Sequence, residues 1–75
     1  MEISLKELKP AEAAVIKSIG VSGPVKRRLM DMGITPGAKI IMRKVAPLGD
    51  PIEVNVRGYE LTLRKSEAEQ ITVEK

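Results

Sequence analysis

The amino-acid sequence predicts an all-β domain, a small closed barrel that carries one inserted short α-helix and one C-terminal helical turn. Three observations point there. Short apolar or alternating stretches, five or six of them, recur between turn signals rich in Gly and Pro. Two of these, Ile52-x-Val54-x-Val56 and Tyr59-x-Leu61-x-Leu63, mirror each other across Arg57-Gly58. The 75 residues, read as one domain over 1–75, are too few to cover both faces of an open sheet, so curling the sheet on itself is the economical way to bury its apolar side.

Each element has a local reason. Residues 3–5 alternate and run into Leu8-Lys9-Pro10, where proline removes a backbone donor and biases its neighbour to extended geometry, so an edge strand followed by a turn is expected. Ala13–Ile19 is rich in small and β-branched residues and stops at Gly20, which favours a strand over a helix. Ser22-Gly23-Pro24 then places a cap before Val25, Leu29 and Met32, which recur at i, i+4 and i+7 on one helical face. Pro24 suits the first helical position and Gly33 the stop. Thr35-Pro36-Gly37 turns the chain into Lys39–Val45, apolar on both faces near its start and hence expected as a central strand. Residues 46–51 form a turn-rich loop. With Arg57-Gly58 at the tip of the next hairpin, Val56 faces Tyr59, Val54 faces Leu61 and Ile52 faces Leu63. A slip of one residue would set apolar against polar faces, so this register is strongly specified. Ser66-x-x-Glu69 fits a capping box with room for one helical turn before residues 71–73 close the chain as a last strand.

Composition removes whole classes of function. With no cysteine there is no disulfide, thiolate zinc site or thiol nucleophile. With no histidine the commonest general base and transition-metal ligand are also missing, leaving ten carboxylates as the side-chain metal donors. No catalytic, cofactor-binding or metal-binding residue is therefore assigned, and no cofactor is expected. A single aromatic residue, Tyr59, leaves no stacking platform for single-stranded nucleic acid or proline-rich peptides. The net charge of +3 is a mild excess spread along the chain, and no specific nucleic-acid partner is expected. Apolar runs reach only four residues, as at 13–16, against roughly 18 for a membrane span, which predicts a soluble chain without membrane insertion or signal peptide.

Four motifs in order then carry a family likeness. They are Arg28-Leu29-x-x-Met32-Gly33-Ile34-x-Pro36-Gly37, Ala46-Pro47-Leu48-Gly49-Asp50-Pro51, Val56-x-Gly58-Tyr59-x-Leu61-x-Leu63-Arg64 and Glu67-Ala68-x-x-Ile71-x-Val73. Over residues 5–73 the chain resembles the FeoA family. The resemblance implies a free-standing cytoplasmic SH3-like barrel, an accessory of ferrous iron uptake that acts on FeoB, the membrane transporter with a cytosolic G-protein domain. It also implies kinship with the barrel at the C-terminus of some iron-dependent repressors, here without a DNA-binding domain. One departure is Ala11, where glycine commonly follows Leu-x-Pro in the family.

The residues nominated for partner binding are Lys26, Arg27, Arg28, Met30, Leu48 and Asp50, each with a structural alternative. Lys26-Arg27-Arg28 reads as solvated surface, since successive helical residues sit about 100° apart, or as a docking patch. Favouring docking, cations at a helix N-terminus oppose the macrodipole by roughly 0.3–1 kcal/mol each. Arg27 or Arg28 could alternatively serve as an arginine finger for the transporter's G domain. Leu48, at the tip of a loop bracketed by prolines, either folds onto the core or meets a partner. Asp50 is expected to stabilise its own turn rather than bind metal. Met32 and Met42 suit core filling and Met30 the surface, while Tyr59 is expected in the core with its hydroxyl in water. A small nucleic-acid-binding barrel and a metal-sensing regulatory module are the rival classes, opposed by the missing aromatics and by the missing His and Cys.

Overall fold

A computed structural model describes residues 1–20 and 22–75. The elements run β1 (Glu2–Ser4), a 3-10 turn (Leu5–Glu7), β2 (Ala13–Ile19), α1 (Pro24–Asp31), β3 (Lys39–Val45), β4 (Ile52–Val56), β5 (Tyr59–Leu63), α2 (Lys65–Glu69) and β6 (Ile71–Glu74). All strand pairs are antiparallel, in the order β1-β6-β2-β3-β4-β5. β2 divides its length between its two neighbours, pairing with β3 through Ala13, Ala14 and Val15 and with β6 from Val15 to Ile19, so the sheet folds over along this strand. A break in register between Ile16 and Ser18, and another between Met42 and Lys44, supply the local twist that such curling needs. The enclosed core is apolar throughout the described residues, with Leu5, Ile16, Leu29, Ile40, Met42 and Val54 among its fully buried members.

The β4–β5 hairpin has the register that the alternation predicts, with Val56 opposite Tyr59, Val54 opposite Leu61 and Ile52 opposite Leu63. Its tip puts Arg57 at φ 52° and Gly58 at φ 85°, the two positive values a two-residue turn of type I′ requires. β3 is central, as expected. Elsewhere the structure corrects the local reading. The first strand ends at Ser4 rather than Leu5, because Ser4 caps the 3-10 turn: its hydroxyl accepts from Lys6 N–H (3.4 Å) and its own N–H donates to Glu7 (3.2 Å). Tyr59 is not a core residue. It begins β5, which has no further neighbour in the sheet among the described residues, and it is 71% exposed. Of the helical stripe, Leu29 is buried and Met32 packs against the core, but Val25 is 40% exposed. The C-terminal helical turn is capped two residues before the expected Ser66 and starts at Lys65. Arg64, extended at φ −77° and ψ 151°, is the N-cap, and Glu67 accepts its N–H at 2.9 Å.

Candidate docking surface

α1 is short and exposed, and both its ends are built by the chain itself. Pro24 occupies the first turn after Gly23, whose φ of 75° bends the chain into the helix. At the other end Gly33, at φ 98°, completes a Schellman motif: Ile34 N–H donates to the Leu29 carbonyl and Gly33 N–H to the Met30 carbonyl, both at 3.0 Å. Leu29 and Ile34, the two positions that the motif brings together, are both fully buried in the core. With Leu29 pointing inward, the 100° step per residue sends Arg28 to one flank of the helix and Met30 to the other. Lys26 and Arg27 are exposed and form no ion pair among the described residues, whereas Arg28 pairs with Glu67 of α2. A groove of about 900 Å³ runs along α1, lined in part by Lys26, Arg27, Arg28 and Met30.

The 46–51 loop folds on itself through Gly49 N–H to the Ala46 carbonyl (2.7 Å) and Ala46 N–H to the Pro51 carbonyl (3.1 Å). Leu48 projects from its tip, 91% exposed, so it does not cover the core. Asp50 does not stabilise its own turn. Its Oδ1 accepts the N–H of Lys65 at 2.9 Å, one of the donors that the first turn of α2 cannot satisfy internally.

α2 thus becomes the meeting point of α1 and the loop. Glu67, 12% exposed, uses one oxygen for Arg64 N–H and the other for Arg28, while the adjacent Lys65 N–H holds Asp50. Of the six nominated residues, Arg28 and Asp50 are brought to the same short helix. Lys26, Arg27 and Met30 lie on other faces of α1, and Leu48 stands off the loop tip. Glu67 is the residue that sequence reasoning passed over. Its signal was present as a carboxylate three residues after an extended Arg64, but Ser66 offered a more familiar cap. Among the described residues no three His, Cys, Asp or Glu side chains gather where they could share a metal ion. No helix among them is long and apolar enough to cross a membrane.

The family described as FeoA domain matches this chain over residues 3–75. The chain belongs to the FeoA family. A curated relative, the Fe(2+) transport protein A/Fe(2+) transporter FeoB fusion protein of Porphyromonas gingivalis, is 34% identical over 70 residues. That match covers 93% of this chain and only 8% of the fusion protein. Among solved structures, the FeoA protein from Chlorobium tepidum is 50% identical with a TM-score of 0.90, over 96% of this chain and 69% of that one. FeoA of Stenotrophomonas maltophilia, described as a prokaryotic SH3 domain protein and solved with zinc, is 30% identical with a TM-score of 0.84, over 96% and 89%. The curled sheet described above is therefore an SH3-like barrel, and the helix inserted between β2 and β3 belongs to this FeoA chain's version of it.

Proposed function

We propose that this FeoA chain is a non-enzymatic accessory protein of ferrous iron transport that works in the cytoplasm, docking onto the cytosolic, G-protein part of a FeoB-type transporter. The observation that carries the reading is the fusion relative, in which a segment 34% identical to this chain is covalently joined to a transporter. Covalent joining raises the effective concentration of two modules to about the millimolar range, a gain of use only to modules that work together. The exposed chemistry of the chain supports contact with a protein. Leu48 stands in solvent at a loop tip, and Lys26 and Arg27 carry charge at the helix end where it is disfavoured. Neither feature serves folding.

The direct test is co-elution of the purified chain with the transporter's cytosolic part, with and without guanine nucleotide. Binding in at least one nucleotide state is expected. Absence of a complex in both would overturn the reading.

A further inference from the structure

Docking through α1 and the 46–51 loop needs the two to hold a fixed relation, yet they leave the barrel at different points of the chain. α1 has eight residues, fewer than the roughly 12–15 at which an isolated helix becomes even marginally stable in water, and Leu29 is its one buried residue. A helix held only at its C-terminal end, by Leu29 and the partly buried Met32, retains freedom to swing about that end. The ion pair between Arg28 and Glu67 is a second attachment on a different flank, and two attachments fix an orientation where one does not. On the other side, Asp50 secures the loop to Lys65 N–H, two positions before Glu67.

We propose that Glu67 is a positioning residue that fixes α1 relative to the 46–51 loop, so that Lys26, Arg27 and Leu48 meet a protein partner in one arrangement. This rests on the docking reading and adds to it the residue that assembles the surface. Glu67 is suited to the role because one carboxylate spans both jobs, closing the α2 N-terminus and holding a cation from α1.

The test uses the full chain and begins without any partner. Glu67→Gln keeps a side-chain oxygen for Arg64 N–H but removes the charge that holds Arg28. Amide hydrogen exchange at Met32, Gly33 and Ile34, whose N–H groups close α1, is expected to quicken about two- to fivefold, with exchange in β3 and β4 unchanged. Arg28→Lys, which keeps the charge, should stay near the parent. The double variant Arg28→Gln with Glu67→Gln should exchange no faster than either single one, because both remove the same interaction. Parental exchange in Glu67→Gln, or additive effects in the double variant, would overturn the inference. In the second arm, Glu67→Gln is expected to weaken binding to the transporter's cytosolic part by a similar factor. Should Leu48→Glu and the paired Lys26→Glu and Arg27→Glu change bind like the parent, the docking reading falls and takes with it the purpose assigned to Glu67. If those variants lose binding while α1 exchange in Glu67→Gln stays parental, the positioning inference alone falls.

Discussion

The β4–β5 hairpin and the α1–loop side of this barrel are built by opposite rules. In the hairpin, Ile52, Val54, Val56 and Leu63 are buried, the register runs unbroken from tip to base, and the turn residues have the φ values their turn requires. On the α1–loop side one leucine is buried, two cations lack ion-pair partners among the described residues, a leucine stands in solvent, and order comes from a cap and an ion pair. One region uses its sequence to hold the fold, and the other uses the fold to hold its sequence outward. In a domain of this size, whose single core supplies roughly 3–5 kcal/mol, that division has a sharp consequence. Ile52→Ala is expected to cost about 2–5 kcal/mol and leave the chain largely unfolded in urea titrations followed by circular dichroism. A loss below about 1 kcal/mol would break the contrast.

Local patterns make the first region legible and only part of the second. The hairpin could be read from sequence because cross-strand pairing repeats one constraint at every rung, so Val54 against Leu61 confirms Val56 against Tyr59. Gly33 was equally readable, as the demand of a Schellman turn for positive φ lies within a few residues of chain. Tyr59 was misread because pairing says which face a residue shares and not whether another strand follows; its exposure depends on β5 being the edge of the whole sheet. Glu67 and Asp50 escaped for a related reason. Their partners, Arg28 and the N–H of Lys65, belong to other elements, and no window of sequence contains both ends of either contact.

The turn that feeds β2 offers a way to sharpen the comparison with the opposite sign. Ala11 sits at φ 73°, a left-handed conformation that costs a residue with a Cβ roughly 1–2 kcal/mol, while its N–H donates to the Met42 carbonyl at 2.8 Å and joins the turn to β3. Ala11→Gly removes the steric cost and adds some unfolded-state entropy, for a net stabilisation of about 0.5–1 kcal/mol in denaturant midpoint measurements. Destabilisation would mean that the methyl group contributes packing the exposed turn does not reveal.

A weaker effect is expected from acid. The carboxyl of Glu12 lies below its ordinary value, first because the Lys75 side chain hydrogen-bonds it and then because Lys9 N–H donates to it. Glu74 is lowered likewise by the amino group of Met1. A carboxyl with a depressed folded pKa stabilises the fold fully above its unfolded value and loses that contribution as pH falls through the folded one. Melting temperature should therefore decline as pH drops below about 4.5. Glu12→Gln should flatten that decline, and added salt should shrink the difference between variant and parent, because both groups are at the surface. An unchanged slope in Glu12→Gln would remove this pair from the account.

The smallest change in stability belongs to the residues proposed to matter most for binding. Leu48→Glu replaces a side chain that touches little of its own barrel, since at 91% exposure it has almost no burial to lose. Lys26→Glu with Arg27→Glu even places negative charge at a helix N-terminus, where the macrodipole favours it by a few tenths of a kcal/mol per residue. Neither variant should be less stable than the parent by more than about 0.5 kcal/mol, while both weaken association with the transporter's cytosolic part and slow ferrous iron uptake in cells. This separation of binding from stability is the strictest form of the contrast between the two regions. A large fall in melting temperature for Leu48→Glu would place Leu48 with the hairpin residues as part of what holds the fold. Parental binding and uptake in both variants would move the working surface to another face of the barrel.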